Sequence, residues 1–122
     1  MDIDGLKNMV KPMSKSCKSK TGVSDELVQG THNGEFPRDR KLMCYFKCIS
    51  VLLKIMNKQG EVNTKTVENQ INILANDEVA PRLKEVAKLC YETVERNEDA
   101  CEYALDLAYC TFTKDSSVYF LP

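Results

Sequence analysis

Along residues 40–57, RKLMCYFKCISVLLKIMN, the polar side chains after Lys41 fall at Lys47, Ser50, Lys54 and Asn57. Steps of three and four place them on one narrow strip of a helix. The rest of the girth is apolar: Leu42, Tyr45, Phe46, Ile49, Val51, Leu52, Leu53, Ile55 and Met56. A helix apolar over most of its surface is wrapped by others, so this stretch predicts a central helix. Pro37 fits its first turn and Gly60 ends it. Cys44 and Cys48, one turn apart on one face, can tie it to two other parts of the chain.

The flanking patterns are also helical. Ile3, Leu6, Met9, Val10 and Met13 predict a first helix over about Asp4 to Lys18. Pro12 is expected to kink or break it, because proline removes a backbone donor. Gly22 reads as its C-terminal cap and Ser24 as the N-cap of a short helix through Val28 or Gln29. Residues 30–35, GTHNGE, read as a turn. Asn63 or Thr64 caps a fourth helix with Val67, Ile71 and Leu74 on one face. A fifth, with Pro81 in its first turn, carries a stripe of Leu83, Val86, Ala87, Cys90 and Val94. Asn97 is expected to cap a sixth helix running from Cys101 past Phe112, with Glu98 and Asp99 at its positive end. A polar spacer leads to the apolar end VYFLP, the one short β-like run. Leaving Val118, Tyr119, Phe120 and Leu121 in water is costly, so the tail is expected to fold back over an apolar opening.

Length and composition narrow the class. A chain of 122 residues is one domain and can bury roughly two thirds of its surface. The 17 basic and 18 acidic residues are interleaved with no basic patch, which argues against nucleic acid as a partner. No apolar run reaches the ~20 residues of a membrane span. The N-terminus, MDIDGLKNMV, lacks the apolar core of a signal peptide, so a mature secreted chain is expected, with Met1 an expression start.

Candidate chemistry is sparse. His32, the single histidine, lies between two glycines and reads as a solvated loop side chain. No nucleophile–base pair, phosphate loop or zinc-protease histidine pair is present, which argues against an enzyme and against a cofactor. The carboxylate pairs Asp77/Glu78 and Glu98/Asp99 suit helix starts. Six cysteines stand at 17, 44, 48, 90, 101 and 110. Their gaps lack the short paired spacings of zinc sites, so no metal is expected and a disulfide framework is. Six cysteines allow fifteen pairings. Cys101 and Cys110 lie on opposite sides of the last helix, so they must staple two sides of it.

The cysteine pattern C-x26-C-x3-C-x41-C-x10-C-x8-C resembles that of the insect odorant-binding proteins, which include the pheromone-binding proteins. Further resemblance lies in KTGVS at Lys20–Ser24, KLMCYFKC at Lys41–Cys48 and the terminal YFLP, so it spans essentially the whole chain. It implies an all-α fold of six disulfide-stapled helices around an internal hydrophobic cavity, with tail 113–122 as a cavity wall. It also implies the interlocked pairing Cys17–Cys48, Cys44–Cys101 and Cys90–Cys110.

The function so implied is a secreted carrier in sensory lymph, holding a small hydrophobic volatile and delivering it to a membrane odorant receptor. The expected lining is Leu6, Met9 and Met13 of the first helix, Leu53 and Met56 of the central one, and Val67, Ile71 and Leu74 of the fourth. The fifth adds Leu83, Val86 and Ala87, the sixth Leu107, Ala108 and Phe112, and the tail Tyr119 and Phe120. Tyr119 is expected to hydrogen-bond the ligand. With one histidine, this chain departs from the histidine-rich relatives that release ligand at low pH; a switch through the tail is the alternative. Monomer and homodimer are both open. The rival reading is a solid-cored secreted scaffold acting through protein contacts.

Overall fold

The computed structural model describes residues 1–122. It contains six α-helices: α1 (Ile3–Thr21), α2 (Asp25–Thr31), α3 (Arg40–Leu52), α4 (Thr64–Leu74), α5 (Val79–Thr93) and α6 (Ala100–Lys114). A single 3-10 turn, Ser116–Val118, precedes the last four residues. The fold is all-α, as the periodicity predicts.

Helix ends follow local chemistry where short polar side chains are at hand. Asp2 accepts from Gly5 N–H at 2.8 Å, Ser24 from Leu27 N–H at 3.2 Å and Asn63 from Thr66 N–H at 3.1 Å. Each satisfies a donor that the first helical turn leaves free. Gly22, at φ 73°, closes α1 in the left-handed conformation that glycine adopts without penalty. The helix runs continuously through Pro12 rather than breaking there.

Four boundaries depart from the sequence expectation. The cap of α3 is Asp39, whose carboxylate accepts from Leu42 N–H at 3.0 Å, so Pro37 lies outside the helix. The cap of α6 is Asp99, which accepts from Cys101 and Glu102 N–H. Asn97 instead accepts from Asp99 N–H. Helix α2 continues to Thr31, two residues into the expected turn. Most consequential, α3 stops at Leu52 although its apolar pattern runs on to Met56. Lys54 sits at φ 62°, its N–H donates to Val51 O, and Ile55 N–H donates to Ser50 O. That pair of bonds is the Schellman termination, built here with lysine where glycine is usual. Leu53 and Met56 are still buried, but from a turn.

Helix α3 is central, packing most extensively on α6 and next on α1. Tyr45, Phe46, Leu42 and Ile49 are wholly buried there. Sixteen buried residues form this core, and nine others form a second cluster between α1, α5, α6 and Val118. The sulfurs join Cys17 to Cys48, Cys44 to Cys101 and Cys90 to Cys110, with Cα separations of 5.7, 4.5 and 5.8 Å. This is the pairing the resemblance implies. Helices α1, α3, α5 and α6 are therefore bridged, whereas α2 and α4 carry no cysteine.

Candidate functional site

An apolar cavity of about 100 Å³ lies where α1, α4, α5, α6 and the tail meet beside the turn that ends α3. Leu6 reaches it from α1, and Leu53 and Ile55 from the turn. Val67, Gln70, Ile71 and Leu74 come from α4, with Ala75 just beyond it. Leu83, Ala87, Cys90 and Tyr91 come from α5, Leu107 and Thr111 from α6, and Phe120 and Leu121 from the tail. Stopping α3 at Leu52 is what turns Leu53 and Ile55 into wall residues.

Three of the lining side chains carry polar atoms. Gln70 donates an amide N–H to Leu53 O at 2.9 Å, tying α4 to the turn. Thr111 donates its hydroxyl to Leu107 O at 3.0 Å, within its own helix. Tyr91 is half-buried; burial, then the nearby Tyr103 phenol, pushes its ionisation above the ordinary tyrosine value. It is therefore a neutral donor at any physiological pH.

Nine of the predicted lining residues meet in the cavity: Leu6, Leu53, Val67, Ile71, Leu74, Leu83, Ala87, Leu107 and Phe120. The other seven sit elsewhere. Val86 is packed in the second core cluster, while Ala108 and Met56 belong to the main core, where Met56 also edges an outer depression. Met9 and Met13 are partly buried against the core. Phe112 and Tyr119 form an aromatic knot with Phe36, at centroid separations of 5.7 Å for Phe36–Phe112, 5.3 Å for Phe112–Tyr119 and 6.3 Å for Phe36–Tyr119.

That knot sets Tyr119 apart from the wall of this cavity. The phenol is buried without a hydrogen-bond partner, away from the cavity wall. Thr31, the hydroxyl facing it, donates to Val28 O at 2.6 Å. His32 is an exposed turn side chain, as the sequence predicts. It ends α2 with its ring edge-on to Tyr119 at 6.3 Å. Burial, then Lys7, holds its ionisation below the ordinary histidine value. The tail is fastened a second time at Tyr45, whose hydroxyl lies 2.8 Å from Ser14 Oγ and 3.3 Å from Pro122 O. A carbonyl oxygen only accepts, so Tyr45 donates to Pro122 while Ser14 donates to Tyr45.

The polar wall residues escaped the sequence reading because that reading followed apolar positions alone. Their spacing was nonetheless available. Tyr91 lies four beyond Ala87, Thr111 four beyond Leu107 and Gln70 three beyond Val67, each on the same helix face as its predecessor. Val67, Ile71, Ala87 and Tyr91 also line a shallow groove on the outside, between α4 and α5. No group of three or more His, Cys, Asp or Glu side chains is placed to hold a metal ion, and no helix is long and apolar enough to cross a membrane.

The model of the PBP/GOBP family matches residues 2–114. General odorant-binding protein 19d of Drosophila melanogaster is 28% identical over 104 residues, covering 82% of this chain and 67% of that protein. Among solved structures, Apis mellifera odorant binding protein 5 superimposes with a TM-score of 0.86 at 30% identity, covering 100% of this chain and 98% of that one. Odorant binding protein 4 of Chrysopa pallens does so with a TM-score of 0.84 at 32% identity, covering 96% and 95%.

Proposed function

This chain belongs to the PBP/GOBP family, and on that premise we propose that it is a secreted carrier of small hydrophobic molecules, which it holds in the α4–α5–α6 cavity and delivers to sensory receptors. The observation that carries this reading is the cavity's composition: of sixteen lining residues, fourteen are hydrophobic. Such a surface offers water little and an apolar solute much, at roughly 25 cal/mol per Å² of apolar area removed from water. Pockets for drug-sized ligands run to about 300–1,000 Å³. A space of about 100 Å³ suits a small volatile molecule, and a longer one enters only as the α4 wall gives.

The test is uptake of the apolar fluorophore N-phenyl-1-naphthylamine by the oxidised protein, followed by displacement with a panel of volatiles. Saturable uptake with selective displacement is expected. Phe120→Asp places a carboxylate on the cavity wall from the tail, where it disturbs no helix, and burying that charge is costly. Uptake is expected to fall more than tenfold with helical circular dichroism unchanged. Full uptake by the folded variant would move the site elsewhere. No uptake by the wild-type protein would favour the solid scaffold.

A further inference from the structure

A second concavity, a groove of about 790 Å³, lies between α1, α2 and the tail. Phe120 and Leu121 line both it and the internal cavity, so the tail is a wall common to the two. The groove is of the size that holds drug-sized molecules, but its lining differs from the cavity's. Lys7, Lys11, Lys15 and Lys18 follow one another at steps of four, four and three, and so form one row along α1. Phe112, with Phe120, Leu121 and Pro122 of the tail, adds half-buried apolar surface. Asp25 is the one acidic side chain on the groove, and it is paired with Lys18 at 3.0 Å. Lys7, Lys11 and Lys15 are in no salt bridge.

The helix does not account for this row. Lys18 and Lys20 in its last turn complement the helix dipole, but Lys7 and Lys11 lie in its first half. Like charges four apart, as in Lys7–Lys11 and Lys11–Lys15, oppose helix formation. Composition does not account for it either. Residues 1–21 hold five lysines and two aspartates, a net +3, in a chain whose net charge is −1, so residues 22–122 carry −4. Basic charge is therefore gathered on α1, where unpaired ammonium groups border apolar surface. That combination is complementary to an anion that carries a hydrocarbon chain.

We propose that this groove is a second binding site, separate from the internal cavity, for a single-chain anionic amphiphile of the fatty-acid class. The carboxylate is held by Lys11 and Lys15, and the alkyl chain lies along Phe112, Phe120 and Leu121. A bilayer also offers anionic headgroups, but its surface is flat on this scale, whereas the apolar part of this site is recessed. The proposal does not rest on the carrier reading.

The experiment follows backbone amide shifts of the oxidised, isotope-labelled protein during titration with dodecanoate and, separately, with dodecan-1-ol at neutral pH. Dodecanoate is expected to shift the amides of Ser14, Lys15 and Gln29 saturably, and the alcohol to bind there about fivefold or more weakly. Lys11 and Lys15 are exposed, so the double variant Lys11→Gln/Lys15→Gln is expected to keep the fold. Its dodecanoate affinity at these amides is expected to fall about five- to tenfold. Added salt is expected to weaken the acid and not the alcohol. Absence of a saturable shift at these amides, or shifts confined to cavity residues such as Ile71 and Leu83, would overturn the proposal. Equal affinities for acid and alcohol, or an unchanged affinity in the lysine variant, would overturn it by removing recognition of charge. Co-sedimentation with phosphatidylglycerol vesicles that the variant loses, without a groove response to free dodecanoate, would overturn it by giving the row to a membrane surface.

Discussion

The two halves of this molecule are built on opposite plans. Around α3, the helices α1 and α6 close over sixteen buried residues, and two bridges leave neighbouring turns of α3 in different directions. Phe36, stacked on Phe46 at 5.8 Å and edge-on to Tyr109 at 5.3 Å, continues that packing to the surface. On the other side, α4 packs chiefly on α5, has Val67 as its one fully enclosed side chain and carries no bridge. The cavity opens on this second side. Two of the three bridges lie where the protein is solid and the third, Cys90–Cys110, joins two walls of the cavity, so α4 is the wall that no bridge holds. A cavity forfeits the contacts that a filled core would supply. In the loop-entropy model each bridge offsets that loss by about 3–4 kcal/mol through restriction of the unfolded chain.

The largest effect that would test this contrast comes from the solid half. Replacing Cys44 and Cys101 together by serine opens a loop of 57 residues. Urea unfolding at 25 °C is expected to show a loss of about 4 kcal/mol. A loss below about 1 kcal/mol would mean that packing alone holds α3 to α6. Next in size is a difference in hydrogen exchange. Amides of Ile71 to Leu74 in α4 are expected to exchange at least tenfold faster than those of Phe46 to Ile49 in α3. Bound ligand is expected to slow the α4 amides selectively. Uniform protection of the two helices would remove the distinction between them.

The smallest expected effect is that of acid. The backbone N–H of Glu102, then Arg40 at 2.6 Å, holds the Asp99 carboxyl below its ordinary value of 3.8. The Ser117 hydroxyl, then the Ser117 backbone N–H, does the same for Asp115, which also faces Arg82 of α5. For such a group the folded state binds the proton less readily than the unfolded chain. Its stabilisation is fully present above the ordinary value and is lost as pH falls through the lowered one. Thermal melting is expected to decline below about pH 4, more gently in Asp99→Asn than in wild type. An identical slope in the two proteins would remove Asp99 from the account.

How far the sequence foretold this structure depends on the range of the interactions concerned. Gly22 and Ser24 were legible because a cap is settled within four residues. Asn97 misled because it and Asp99 are both good caps two residues apart, and Asn97 is occupied by the N–H of Asp99 itself. The nine cavity residues found in advance lie on helix faces whose periodicity is local. Tyr119 could not be placed that way. Its neighbours Phe36 and His32 lie more than eighty residues back along the chain, and the tail's apolar character fits an aromatic knot as well as a cavity wall. The end of α3 was hidden for the same reason: nothing between Leu52 and Met56 forbids helix, and burial from the turn keeps the pattern apolar.

That hidden end bears on how the protein assembles. In the unfolded chain, neither glycine nor proline interrupts residues 40–57, so a nascent helix there overshoots Leu52. Cys44 and Cys48 lie well inside it and can find their partners whether or not it overshoots. The excess turn must then be unwound, with Lys54 forced into a conformation that costs a non-glycine residue about 1–2 kcal/mol. Burial of Leu53 and Met56 in the main core offsets that cost, and the Gln70 bond to Leu53 O adds to it once α4 has docked. Two residues of the cavity wall, Leu53 and Ile55, are thus supplied by a local loss of helix.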